Sequence, residues 1–187
     1  MRVIAGTARG RRLKELQGMD TRPTTDKVKE SIFNIIQFEL EGRRVLDLFG
    51  GTGQLGIEAL SRGSAHCTFV EMRRDAVALM RENLKTVGFA DCSKIVQGDA
   101  LAFLSSCREK FDVILLDPPY HGELMDKAMD AIIRFDILSE HGIMVCETPA
   151  ERQLTPPPAD NFEEGRSYRY GKIKLSVFRR KGKDRDA

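Results

Sequence analysis

The chain has 187 residues, 41% of them hydrophobic and 31% charged, enough for one compact domain with a buried core and too ordinary a mix for wholesale disorder. Its formal net charge of +2 hides an uneven layout: residues 1–44 carry ten bases and six acids, 45–165 eleven bases and twenty acids, and 166–187 nine bases and two acids. Cys67, Cys92, Cys107 and Cys146 lie far apart, which argues against a zinc site or a disulfide framework. No apolar run approaches the ~20 residues of a membrane span. These features describe a cytoplasmic protein with reduced cysteines, no metal and no membrane association.

Residues 1–20 are basic, contain several glycines and suit a hairpin. The spacing of Val28, Ile32, Ile35, Ile36 and Leu40 predicts a helix over 24–41, capped by Thr24 or Thr25. From there short apolar runs alternate with amphipathic stretches. Strands are predicted at 45–49, 67–71, 94–97, 111–117 and 142–148, with helices at 54–62, 73–87, 99–108 and 123–138. Continuous apolar strands separated by helices imply βαβ units and a parallel sheet covered on both faces. A Pro-rich turn at 155–158 follows. Residues 165–180 then read as two short strands joined near Gly171, and 181–187 as a frayed tail. The fold class is α/β and Rossmann-like: a mostly parallel seven-stranded sheet with helices on both faces and a C-terminal antiparallel hairpin. A basic hairpin and helix (1–44) would pack on a single compact unit (45–187).

Two motifs carry chemistry. The first is Asp47-Leu48-Phe49-Gly50-Gly51-Thr52-Gly53-Gln54-Leu55-Gly56 at the end of the first strand, in which Gly51, Gly53 and Gly56 satisfy G-x-G-x-x-G. Glu71 lies twenty residues after Gly51, where an acid can accept hydrogen bonds from both ribose hydroxyls of an adenosine. Asp47 would repel a pyrophosphate but attract the sulfonium and ammonium of S-adenosylmethionine. Asp99 follows the third strand, where it suits either the adenine amino group or a helix N-cap, two compatible roles. The second motif is Asp117-Pro118-Pro119-Tyr120 after the apolar run FDVILL. The Asp117 carboxylate and the Pro118 carbonyl can accept hydrogen bonds from an amine conjugated to an aromatic ring, restoring its lone pair for methyl transfer. Tyr120 can stack on an unstacked base.

In this order the motifs resemble a class I S-adenosylmethionine-dependent methyltransferase acting on amino groups. With Gly6–Leu13 (GTARGRRL), Arg22-Pro23-Thr24-Thr25-Asp26 and Leu46–Gly63 (LDLFGGTGQLGIEALSRG), nearly the whole chain resembles the RsmD family. That resemblance implies methylation of the exocyclic N2 of a guanine in 16S rRNA, within a small-subunit particle, by a monomeric enzyme that releases S-adenosylhomocysteine. It implies Asp117, Pro118, Pro119 and Tyr120 at the guanine amino group. It places Asp47, Phe49, Gly50, Gly51, Gly53, Glu71, Met72, Asp99 and Ala100 around the cofactor. The glycine loop reads GGTG where many relatives have a small residue and a serine.

Arg9, Arg11, Arg12 and Lys14 form an acid-free basic cluster; with Arg22 they suit phosphate contact. Arg166, Arg169, Lys172, Lys174, Arg179 and Arg180 form a second cluster, suited either to RNA or to the wet face of a hairpin. His66, His121 and His141 show no ligand or triad spacing. Three alternatives stay open: a DNA adenine-N6 or protein glutamine methyltransferase, a nicotinamide-dependent oxidoreductase, and a non-enzymatic RNA-binding module.

Overall fold

A computed structural model of the protein describes residues 1–16, 25–119, 123–154 and 162–182. In chain order its elements are α1 (Asp26–Ile35), β1 (Arg44–Asp47), α2 (Gln54–Ser61), β2 (His66–Glu71), α3 (Arg74–Val87), a 3-10 turn (Ala90–Cys92), β3 (Ser93–Gln97), α4 (Ala100–Ser106), β4 (Phe111–Leu116), α5 (Leu124–Arg134), β5 (Leu138–Pro149), β6 (Phe162–Tyr170) and β7 (Ile173–Arg180). The seven strands form one sheet in the order β3-β2-β1-β4-β5-β7-β6. β1 to β5 run parallel, whereas β7 pairs antiparallel with both β5 and β6.

The inner strands β1, β2 and β4 and the second half of β5 are largely apolar because they bury both faces, whereas the edge strand β3 is only partly buried. Val45, Val113, Leu115, Ile143 and Val145 face a layer built from α1, α2, α3 and the N-terminal arm. Leu46, Leu48, Ile114, Leu116 and Met144 face the other layer, built from α4 and α5. The period of two thus sorts neighbouring strand residues into separate cores. Burial raises the Cys67 and Cys146 thiols, and both cysteines pack as small hydrophobes.

Residues 1–16 form an irregular hairpin closed by an antiparallel bridge between Arg2 and Arg12. The Val3 N–H donates to the Arg11 carbonyl at 3.0 Å, and the Leu13 N–H to that of Met1 at 3.0 Å. α1 is capped by Thr25, whose hydroxyl accepts from the Val28 N–H at 3.3 Å. It stops at Ile35, short of residue 41, because the chain turns after Ile36 to bury Leu40 and enter β1. β5 begins at Leu138, earlier than residue 142, but its register against β4 breaks between Phe111 and Val113; the unbroken part starts at Ile143. The hairpin β6–β7 turns at Gly171, whose φ is +59°. The Pro-rich turn and residues 183–187 of the tail lie outside the described residues.

Candidate active site

Because β1 to β4 are parallel, every motif that follows one of them emerges at the same edge of the sheet. The strand order reverses between β1 and β4, so the glycine loop and Asp117-Pro118-Pro119 flank the switch point where open α/β sheets bind ligands. Glu71 ends β2 and Met72 follows it, and Asp99 and Ala100 follow β3 on the same edge.

The glycine loop is built by three different needs. Gly53 has φ +86° and precedes the first turn of α2, and a Cβ there would lie 2.9 Å from Met80 Cγ. Gly56 lets α2 lie against β2: a Cβ would come within 2.2 Å of the Phe69 ring and 2.7 Å of Cys67 Sγ. Gly51, with φ +53°, has nothing within 4 Å of its missing Cβ and borders open space. Gly50 is buried, while Phe49 packs against the α4–α5 layer.

The carboxylates sit in distinct settings. Asp47 is 2% exposed, and its Oδ2 accepts from the Gly56 N–H at 2.9 Å. Burial, with Glu71 nearby, pushes its carboxyl up to about 7 despite that hydrogen bond. Glu71 is fixed by two backbone donors, Gly51 N–H to Oε2 at 2.9 Å and Arg73 N–H to Oε1 at 2.8 Å. Each of its oxygens keeps a lone pair for a ligand hydroxyl. Met72 beside it is 68% exposed, an unusual setting for a large apolar side chain. Asp99 is exposed and caps α4, its Oδ1 accepting from the Ala102 N–H at 2.8 Å, with Ala100 buried behind it. Asp117 is half-buried and Pro118 buried, whereas Pro119 is exposed. Tyr120 and His121, like Arg22-Pro23-Thr24, lie outside the described residues.

These residues fit S-adenosylmethionine. Asp47 is a buried carboxylate, and Glu71 adds negative charge beside it. That setting suits a cation and opposes a pyrophosphate. A groove at the opposite, N-terminal end of β3, lined by Arg81, Leu84, Lys85, Ala90, Ser93 and Ile95, holds none of this chemistry.

Among the described residues, ion pairs take one of the four bases of the first cluster and three of the six of the second. Arg9, Arg11 and Arg12 are exposed and form no ion pair among the described residues, while Lys14 pairs with Glu82 at 2.6 Å. In the C-terminal cluster, Arg169 pairs with Glu151 at 3.0 Å, Arg179 with Glu39 at 2.8 Å, and Arg180 with Asp136. The groups that seat the N-terminal arm escaped sequence reasoning. Glu58 is fully buried and accepts from the Ile4 N–H at 2.8 Å, the Ala5 N–H at 3.0 Å and Arg62 Nε at 2.8 Å. Ser61 Oγ accepts from the Ala8 N–H at 2.9 Å. Glu147, 3% exposed, follows the residue that pairs with Leu116 and so stands level with Asp117. A charged residue inside the apolar run GIMVCET was its available signal.

A family model described as "Conserved hypothetical protein 95" matches residues 1–179. A Bacillus subtilis protein named putative rRNA methyltransferase YlbH is 40% identical over 185 residues, covering 97% of this chain and 100% of its own. Ribosomal RNA small subunit methyltransferase D of Escherichia coli K12 is 31% identical over 180 residues, covering 96% of this chain and 90% of its own. A solved structure described as a putative methyltransferase yhhF from Escherichia coli matches with a TM-score of 0.88 at 30% identity, covering 98% and 99% of the two chains. With this architecture, glycine loop and family match, the chain belongs to the RsmD family and has a methyltransferase fold.

Proposed function

We propose that the protein transfers a methyl group from S-adenosylmethionine to the exocyclic N2 of a guanine in 16S rRNA of the small ribosomal subunit. The observation that carries this reading is the pairing, across the switch point, of a glycine loop holding a buried carboxylate with Asp117-Pro118-Pro119. The names of the relatives, small-subunit rRNA methyltransferases among them, support the RNA substrate.

When bound, the cofactor supplies an electrophilic methyl on a sulfonium. Gly50, Gly51 and Gly53 would flank its methionine part, with Asp47 balancing its positive charge; Glu71 would hold the ribose, and Met72, Asp99 and Ala100 the adenine. Asp117 and the Pro118 carbonyl would accept the two amino hydrogens of the guanine, directing the nitrogen lone pair toward the donor and stabilising the charge that develops there. Pro118 and Pro119 restrict the backbone, so this arrangement is set before substrate arrives. Tyr120 would stack on the extruded base. Arg9, Arg11, Arg12 and Lys14, with Arg22, would contact phosphates.

Calorimetric titration tests cofactor and acceptor roles separately. S-adenosylhomocysteine should bind in the micromolar range and NAD should not. Asp117→Ala should lower methyl transfer to small subunits at least a hundredfold while changing S-adenosylhomocysteine affinity less than about threefold. Binding of NAD in preference would favour an oxidoreductase, and loss of cofactor binding together with activity would remove Asp117 from the acceptor role.

A further inference from the structure

The basic arm and the glycine loop are joined by one side chain that neither motif contains. Asn83, in the middle of α3, is 1% exposed. Its Oδ1 accepts from the Lys14 N–H at 2.8 Å, and its Nδ2 donates to the Lys14 carbonyl at 3.1 Å and the Thr52 carbonyl at 3.0 Å. One N–H and two carbonyls as partners fix the orientation of the amide, and three of its hydrogen-bonding positions are filled. Lys14 closes the basic cluster, and Thr52 stands between Gly51 and Gly53 in the loop. Beside Asn83, Glu82 pairs with Lys14 Nζ at 2.6 Å, a second tie at the same point of the arm.

We propose that Asn83 is a positioning residue that couples RNA binding at the arm to cofactor binding at the glycine loop, so that each ligand tightens the other. This rests on the reading of the arm as an RNA surface and of the loop as the S-adenosylmethionine site. Setting the Thr52 carbonyl aligns the Thr52–Gly53 peptide, between two loop glycines with positive φ, and through Asn83 this is also the setting of the Lys14 backbone. A ligand that orders either segment removes part of the ordering cost for the other, and the effect is reciprocal. Glu58 and Ser61 anchor the first half of the arm independently, at Ile4, Ala5 and Ala8. Loss of Asn83 therefore uncouples the arm without releasing it.

The test measures affinity for unmethylated small ribosomal subunits with and without saturating S-adenosylhomocysteine, and the reciprocal titration. In the wild-type protein each ligand should tighten the other about fivefold or more, by the same factor in both directions. Asn83→Ala, which removes all three hydrogen bonds, should bring that factor to about one. Asn83→Leu, of similar size and without polar side-chain atoms, has no donor for the Thr52 carbonyl and should do the same. It carries the test if the alanine variant does not fold. Each ligand alone should still bind both variants. Equal affinities with and without S-adenosylhomocysteine in the wild type would overturn the proposal, as would a variant that keeps the wild-type factor. Failure of the wild type to bind either ligand would instead overturn the reading of the site on which the coupling rests.

Discussion

Asp47 holds its carboxyl at about 7 because burial outweighs the single hydrogen bond from the Gly56 N–H. The folded protein therefore keeps a proton that the unfolded chain loses near its ordinary value of 3.8. Stability drawn from this group falls as pH rises from about 4 to about 7 and is lowest above that window. Asp47→Asn retains an acceptor for Gly56 and removes the charge. Relative to wild type the variant should gain on the order of a few kcal/mol between pH 5 and pH 8, read from denaturant unfolding at both. A gain that does not change with pH would contradict the assignment. The same variant should bind S-adenosylmethionine more weakly at pH 8, where the wild-type carboxylate is charged. Gly56 sets a second condition at this scale. Gly56→Ala forces a methyl into the Phe69 ring and should cost about 1–3 kcal/mol, with a matching drop in thermal midpoint. An unchanged midpoint would mean that α2 has room to move off β2.

At the scale of elements, the arm, α1 and α2 meet at Glu58. Lys29 on α1 is fully buried, donates to the Arg2 carbonyl and lies 3.9 Å from Glu58 Oε2; burial lowers its pKa while Glu58 raises it. Glu58→Ala would leave that ammonium without its counter-charge and the Ile4 and Ala5 N–H groups without their acceptor, a loss of about 3–5 kcal/mol. Limited proteolysis should then cut within residues 1–16 well before the sheet is attacked; equal resistance would show that Glu58 does not seat the arm. None of this was legible in the sequence, because Glu58 reaches its arm partners across 54 and 53 residues and Asn83 reaches Lys14 across 69. No local pattern marks such pairs. The elements themselves were legible where periodicity and punctuation agree, as in α3, which ends at Gly88 in a left-handed conformation. They were less so where tertiary demand wins: α1 has no such stop and ends when Leu40 must enter the core.

At the scale of the whole molecule, the acidic centre and basic ends resolve into different surfaces. The C-terminal bases Arg179 and Arg180 are drawn into partly buried ion pairs, whereas Arg9, Arg11 and Arg12 on the arm, like Arg166 and Lys172 of the C-terminal cluster, stand exposed. Sequence alone left the C-terminal cluster open between RNA and the wet face of a hairpin, since pairing depends on which acids the fold brings near. Replacing Arg9, Arg11 and Arg12 by Ala should weaken binding to small subunits and lower the slope of log affinity against log salt by about one for each phosphate no longer neutralised. An unchanged slope would return the arm to ordinary surface charge. Of the site, the glycine loop, Glu71, Asp99 and Asp117 were legible because each follows a strand of a parallel sheet, and topology brings such positions to one edge. The ties that hold them, from Asn83 to Thr52 and from Glu71 to Gly51, were not, because they depend on register and helix rotation.

The central claim, methyl transfer to a guanine amino group of 16S rRNA, is tested most directly with tritium-labelled S-adenosylmethionine and small subunits from cells lacking this gene. After incubation with the purified protein, the RNA is digested and its nucleosides are separated. Label should appear in N2-methylguanosine, and none should appear when Asp117→Ala replaces the wild type. Label in another nucleoside or in ribosomal protein, or no label although S-adenosylhomocysteine binds, would contradict it.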